Sequence, residues 1–195
     1  MKYPKINSLY KRDEKGKFLP EFSCSEFAYL YKNKWVATEK VDGTNIRVIW
    51  DGNVTFAGRT DNAVIPTPLL NKLGELFTKD KFNCHHLTLF GEGYGAGIQS
   101  GGDYGGVNFI LFDVLINGFW LERKDIEEFA QKFNIGVVPI LFEDTLENIE
   151  GIVKEGFKST LKSSPPEGVV LKPAVSLNCR NGERVITKLK LKDFK

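Results

Sequence analysis

Lys40-Val41-Asp42-Gly43-Thr44-Asn45 sets a primary amine close to a carboxylate, a glycine and a carboxamide. An amine that is partly desolvated, or that lies near other cations, loses its proton more readily and becomes a nucleophile near neutral pH. Glycine at position 43 permits backbone angles or a close approach that a side chain would block. The motif is short, and a lone Lys-Asp pair of this kind is usually a solvated turn. Four downstream segments bear on the choice: Gly58-Arg59-Thr60, Phe90-Gly91-Glu92-Gly93, Glu167-Gly168-Val169-Val170-Leu171-Lys172 and Lys188-Leu189-Lys190. Each puts a charged residue at a strand edge or in a turn. Lys188 and Lys190 alternate with Leu189 and Leu191, so both amines face one side of a strand. Two like charges on one sheet face are unfavourable unless an anion lies between them, and a nucleotide phosphate would suit.

Strand signals begin at Trp35 and lead directly into Lys40. Ile46 to Trp50 and Val54 to Ala57 flank Asp51-Gly52, a hairpin signal. A short helix is expected over Pro68 to Phe77, with Leu69, Leu73, Leu76 and Phe77 on one face. Leu87 to Phe90 reads as a strand ending in Gly91-Glu92-Gly93. The glycine-rich stretch Gly91 to Gly106 has the wrong register for a dinucleotide fingerprint and reads as a mobile loop. Asn108 to Ile116 is apolar apart from Asp113, as a buried central strand would be. Amphipathic helices are expected over Arg123 to Phe133 and over Thr145 to Leu161, the second stopped by Pro165-Pro166. Val169 to Leu171 and Val185 to Leu191 complete the strands, with Asn181-Gly182 turning into the last. Tyr3 to Phe22 looks polar and irregular around a Lys15-Gly16-Lys17 turn. The expected fold class is α+β: antiparallel sheets with peripheral helices.

The chain has 195 residues, which suits one domain over 1–195, and its net charge is +2. It is therefore no polycation overall, although both ends are basic. Lys2, Lys5, Lys11, Arg12, Lys15 and Lys17 open the chain, and Arg184, Lys188, Lys190, Lys192 and Lys195 close it. Two such segments could flank an anionic ligand or be solvated surface. Cys24, Cys84 and Cys179 are far apart and odd in number, which argues against a disulfide framework and fits a reducing, cytoplasmic compartment. Cys84-His85-His86 lacks a fourth ligand at sensible spacing and reads as structural. No signal peptide and no long apolar span appears, so no membrane partner is expected.

The ordered set of motifs resembles the covalent nucleotidyltransferase superfamily of ATP-dependent RNA ligases, DNA ligases and mRNA capping enzymes. Lys40 to Asn45 looks like its motif I, Glu92 sits where motif III has its acid, and Leu111-Phe112-Asp113-Val114 resembles motif IIIa. Glu167 to Lys172 resembles motif IV and Lys188-Leu189-Lys190 motif V, in the same order along nearly the whole chain. The resemblance implies the ATP-grasp-like ligase adenylylation fold and a lysyl-AMP intermediate on Lys40, made from ATP with Mg2+. It further implies that Lys188 and Lys190 hold the α-phosphate and that Glu167 is the residue nearest the metal. Asp42, Asn45, Val170 and Lys172 come with the same motifs, Val170 covering one adenine face and Phe112 stacking on the other. Glu39 would read the adenine amino edge, and Arg59 and Glu92 would hold the ribose. From periodicity alone, Phe112 is plain core packing and Glu92 and Glu167 are as well read as turn carboxylates facing water.

Asn45 stands where DNA ligases and capping enzymes usually carry Arg, and many RNA ligases carry Asn. With the opening Tyr3-Pro4-Lys5-Ile6-Asn7-Ser8-Leu9-Tyr10, it makes the nick-sealing, phage-type branch of RNA ligases the nearest resemblance. The implied partner is nucleic acid, RNA ends or nicks, with no protein partner indicated. A minimal DNA ligase module and a GTP-dependent capping enzyme are the neighbouring alternatives, and a non-catalytic nucleotide- or RNA-binding module is a third. The sequence shows neither the OB-fold nor the helical C-terminal lobe that wider relatives add, so less efficient sealing is expected.

Overall fold

Short runs of β-branched and aromatic residues between turn signals become strands, as their preference for a pleated surface demands. In a computed structural model describing residues 1–83, 86–99 and 101–195, the strands are β1 Asn7–Ser8, β2 Tyr10–Arg12, β3 Phe18–Phe22, β4 Lys34–Lys40, β5 Thr44–Trp50, β6 Val54–Ala57, β7 Leu87–Tyr94, β8 Asn108–Ile116, β9 Phe119–Trp120, β10 Gly136–Val137, β11 Ile140–Thr145, β12 Gly168–Pro173 and β13 Thr187–Lys190. The helices are α1 Ser25–Tyr29, α2 Thr67–Leu76, α3 Arg123–Phe133 and α4 Leu146–Glu155. The contacts divide into two compact units, Met1–Pro4 with Val41–Val138, and Lys5–Lys40 with Pro139–Lys195. The boundary thus falls inside the Lys40 motif.

In the first unit the strand order is β10-β8-β7-β5-β6, with β9 beside β8. Its pairs are antiparallel except β10 with β8. Leu69 and Leu73 of α2 and Ile126, Ala130 and Phe133 of α3 pack on one face, against Ile46, Val48, Leu87, Leu89, Phe109, Leu111 and Val114. On the opposite face of β5, β7 and β8, Asn45, Arg47, Glu92 and Asp113 stand beside the buried Phe90 and Ile110.

In the second unit the order is β1-β13-β12-β4-β11, β1 joining β13 in parallel and the rest antiparallel. Trp35 and Ala37 of β4, Val169 and Leu171 of β12 and Leu189 of β13 face a core closed by Leu146, Ile149 and Val153 of α4. Glu150 also turns inward from α4 and is only 2% exposed. The hydroxyls of Tyr10 and Tyr31 donate to its Oε2 at 2.7 and 2.6 Å, and Lys154 pairs with its Oε1 at 2.6 Å. Burial pushes the Glu150 carboxyl up, but these donors outweigh it and hold the group below its ordinary value. This cluster ties the β2–β3 hairpin to α4.

Several expected boundaries shift. Tyr3 to Phe22 is not irregular throughout: β1, β2 and β3 lie within it, and only the Lys15-Gly16-Lys17 turn is as expected. The glycine-rich stretch begins inside β7, which runs on to Tyr94. Helix α4 stops at Glu155, well short of Leu161, because Gly156 has φ +92° and the residues beyond it bond elsewhere. The last strand begins at Thr187, since Val185 follows a turn closed by Cys179 and Glu183. Of Cys84-His85-His86, the first two lie outside the described residues, and no group of three metal-binding side chains gathers among the described ones.

Glu150→Ala strands two tyrosine hydroxyls and a lysine that share one buried acceptor. Its cost is about 3 kcal/mol, which for a chain of this size lowers Tm by roughly 6–12 °C. A thermal melt followed by circular dichroism checks it, and a shift near zero would show that the cluster does not anchor the hairpin.

Candidate active site

Strict alternation along β4 puts Trp35, Ala37 and Glu39 on the core face of the second unit and Val36, Thr38 and Lys40 on the other. The same rule turns Val170 and Lys172 of β12 and Lys188 and Lys190 of β13 away from that core. Register then decides which of them meet. Gly168 pairs with Lys40 on one side and with Lys190 on the other, and Val170 pairs with Thr38 and Lys188. Lys40, Gly168 and Lys190 therefore form one row across three strands, with Val170 and Lys188 in the next. Gly168 must lack a side chain: a Cβ there would lie 2.0 Å from the Leu189 carbonyl oxygen.

Glu167, just before Gly168, places its carboxylate between the two amines. Lys40 Nζ donates to Oε2 at 2.5 Å and Lys190 Nζ to Oε1 at 2.5 Å. All three side chains are about one-fifth exposed, at 23%, 22% and 18% for Lys40, Lys190 and Glu167. Burial raises the Glu167 carboxyl, yet Lys40 and Lys190 together pull it below its ordinary value of 4.5. The Glu167 carboxylate thus joins Lys190 to Lys40. Lys188 and Lys172 lie on the same face.

Glu39 is turned the other way and is 1% exposed. Its Oε2 accepts from the Thr160 backbone N–H and hydroxyl, both at 2.9 Å, and its Oε1 accepts from the Ser159 hydroxyl. Reading an adenine edge would require this carboxylate to share or release those donors. Sequence reasoning missed Ser159 and Thr160 because the apolar period of α4 was carried past Gly156; two hydroxyl residues just beyond that glycine were the available signal.

In the first unit, Asn45 pairs with Glu92 across β5 and β7, on the face away from its core. Gly91 and Gly93 flank Glu92 on the core side, where Phe109 and Leu69 leave no room for a Cβ. Asn45 Oδ1 is buried without a hydrogen-bond partner, an acceptor lacking a donor. On β8 the register steps from Phe90↔Asp113 to Gly91↔Leu111, so Phe112 is the extra residue of a β-bulge. The bulge takes Phe112 out of the core set of Phe109, Leu111 and Val114. Phe112 is half-buried, with the Tyr3 ring edge-on at 5.0 Å. Tyr3 also donates to Asp113 at 2.5 Å. Asp42 receives a different hold: its backbone N–H donates to the Tyr104 hydroxyl at 3.1 Å. Gly43 is needed for close approach, since a Cβ would lie 2.2 Å from the Gly93 carbonyl oxygen.

Arg59 is exposed, in the bend after β6. That bend is fixed by Arg47, a 2%-exposed residue that sequence reasoning did not single out. Arg47 donates to the Gly58 carbonyl at 2.8 Å, the Asp61 carboxylate at 2.7 Å and the Met1 carbonyl at 3.2 Å. An arginine between Ile46 and Val48 in an apolar strand was the signal. The structure therefore assembles Lys40, Glu167, Val170, Lys172, Lys188 and Lys190 on one face of the second unit, and Asn45, Glu92 and Phe112 on one face of the first. Glu39 is turned from the first group, and Asp42 and Arg59 lie in loops of the first unit.

A family model for RNA ligase matches residues 33–190. Among solved structures, a Naegleria gruberi RNA ligase variant with ATP and Mn superposes with a TM-score of 0.67 at 19% identity, covering 98% of this chain and 63% of that one. A second variant with AMP and Mn gives 0.66 at 20%, covering 96% and 61%. The same organism's enzyme with pyrophosphate gives 0.66 at 21%, again covering 96% and 61%. The α+β fold is thus that of these ligases, and the chain spans about three-fifths of their length.

Replacing Glu167 by Gln removes the charge that both lysines share. Glu167 has a depressed carboxyl, so its contribution is present above the ordinary value of 4.5 and is lost as pH falls through the folded value. Glu167→Gln should cost about 2 kcal/mol at neutral pH. The gap in Tm from the unsubstituted protein should close progressively as the pH drops below 4.5. A gap that stays constant from neutral pH to about pH 3 would place Glu167's role elsewhere.

Proposed function

We propose, from the premise that this chain belongs to the RNA ligase family, that it is an ATP-dependent RNA ligase working through a lysyl-AMP intermediate. The observation that carries the reading is the Lys40–Glu167–Lys190 row: an amine held beside a second cation, on the sheet face opposite the core. Lys40, paired as an ammonium with Glu167, first yields a proton to solvent, and its neutral amine then attacks the α-phosphorus of ATP. The N–P bond forms, the bond to the β-phosphate oxygen breaks, pyrophosphate leaves, and the nitrogen gives up a proton to become a phosphoramidate. AMP then passes to a 5′-phosphate end, and a 3′-hydroxyl displaces it to seal the strand. Such chemistry needs charge neutralisation and in-line positioning more than elaborate proton transfer. Lys188 and Lys190 serve the α-phosphate; Val170 and Phe112 the adenine faces; Arg59 and Glu92 the ribose; Asp42, Asn45 and Lys172 complete the nucleotide contacts. Glu39 holds the Ser159-Thr160 segment and meets the adenine amino edge only by sharing those bonds.

A divalent metal would fit here together with the nucleotide phosphates, whose negative charge offsets the two lysines. Each Glu167 oxygen accepts one lysine and keeps a second lone pair, and Mg2+ is commonly held by one or two carboxylates plus substrate phosphates. When bound, it neutralises charge on the pyrophosphate leaving group. The substrate we assign is RNA at ends or nicks, on the strength of Asn45 in motif I and the family match. We read residues 1–195 as one adenylyltransferase domain, and Cys24 and Cys179, both free thiols, suit a cytoplasmic setting. Among the described residues no helix is long and apolar enough to cross a membrane.

Incubation with ATP and magnesium should raise the intact mass by one AMP, with the label mapping to the Lys40 peptide. Lys40→Arg keeps the charge but cannot supply a neutral amine, so it should bind ATP and form no adduct. An adduct retained in that variant would show that another lysine is the nucleophile, and labelling from GTP alone would favour a capping enzyme. Lys188→Ala should slow adduct formation on the order of a hundredfold, the scale of losing one charge-stabilising donor; an unchanged rate would remove Lys188 from the site.

A further inference from the structure

A cavity of about 370 Å3 lies in the second unit where α4 ends, and it is lined by Lys154, Lys158 and Lys195 with Glu155 the one acidic lining residue. Its volume is within the roughly 300–1,000 Å3 of small-molecule sites. Lys154 is explained without a ligand, because it pairs with Glu150 and sits in the last helical turn, where cations offset the helix dipole. Lys158 and Lys195 are exposed and have no ion-pair partner among the described residues. The floor is apolar: Phe157, braced edge-on by Phe142 at 5.3 Å and 86°, and Leu191. Pro165 and Leu191 in the lining are two residues from Glu167 and one from Lys190, so the cavity opens beside the strand ends that carry the row. Leu191 belongs to the core cluster whereas Lys190 faces away from it, so the two sites are on different sides of the sheet.

Cations without ion-pair partners and an aromatic ring in one lining match a nucleotide: phosphate to the lysines, base to the ring. We propose that this cavity binds a nucleotide of the RNA strand being sealed, gripping its backbone through Lys158 and Lys195 apart from the ATP that charges Lys40. This rests on the ligase reading. Here Phe157 is a platform rather than a reader of sequence, so the grip is sequence-tolerant.

The test is fluorescence anisotropy of a labelled 5′-phosphorylated oligouridylate with the full chain across a salt series, with intact-mass AMP labelling in parallel. Lys158→Ala with Lys195→Ala should weaken oligouridylate binding on the order of tenfold, and should flatten the salt slope by about 0.7 for each lysine. AMP labelling of Lys40 should be unchanged. Lys158→Glu should weaken binding further at an unchanged Tm. Oligouridylate affinity and salt slope equal to those of the unsubstituted chain would overturn the proposal. So would loss of AMP labelling in the alanine variants, which would make the cavity part of the ATP site. If the unsubstituted chain binds oligouridylate through these lysines yet never gains AMP, the ligase reading fails while the cavity assignment stands.

Discussion

One carboxylate shared by two ammonium groups sets the terms for the rest of the second unit. Lys40 and Lys190 sit on β4 and β13, with β12 between them, and would repel each other across Gly168 without Glu167. The cluster of two cations and one anion keeps a net charge of +1, so the row still attracts an anion while its own repulsion is quenched. Its placement depends on register to the residue. A slip of one position along β13 would turn Lys190 toward Leu171 and Val169 and expose Leu189 instead. The buried rows of Trp35, Ala37, Val169, Leu171 and Leu189 forbid that slip, and so the hydrophobic core fixes the electrostatics.

How legible this was in the sequence follows from the range of each interaction. Local alternation and turn chemistry found β4, β5, β6, α2, β8 and α3 close to their observed bounds, because those elements obey a period over several residues. Alternation puts Lys188 and Lys190 on one face, as expected, while the meeting of Glu167 with Lys40 is decided by pairing across strands more than a hundred residues apart in sequence. Helix α4 was overextended because its apolar period continues through Phe157, while the competing pull is Ser159 and Thr160 bonding to Glu39 at a separation of 120 and 121 residues, a partner that the two local hydroxyls do not name. The hairpin of β2 and β3 was hidden by its many charges. Its strands are held by Tyr10, Phe18 and Phe22 on one side only.

Buried polar groups do the aiming on both units. Arg47 is a charged residue in an otherwise apolar strand, and it bonds to the Gly58 and Met1 carbonyls and to Asp61. The guanidinium beside Asp61 holds that carboxyl below its usual range. Such a group costs much to desolvate and is retained where its several donors fix separate segments at once, here the Gly58–Asp61 bend bearing Arg59 and the Met1 end. Glu39 and Glu150 do the same work in the second unit with acceptors in place of donors.

Phe112 shows how a single inserted residue separates packing from presentation. In an unbroken β8, alternation would carry Phe109, Leu111, Asp113 and Leu115 to the core side, burying a carboxylate among the α2 and α3 side chains. The bulge at Phe112, opposite the Phe90–Gly91 step of the partner strand, resets the phase, so that Val114 and Ile116 take the core side and Asp113 turns to the Tyr3 hydroxyl. Phe112 goes with it, half-buried and edge-on to Tyr3, an aromatic ring left with surface that the core has not used. The apolar run that made this residue look like core and the family pattern that made it look like a base platform are therefore both consistent with the chain. The extra residue, rather than the side chain's polarity, determines which of the two it becomes.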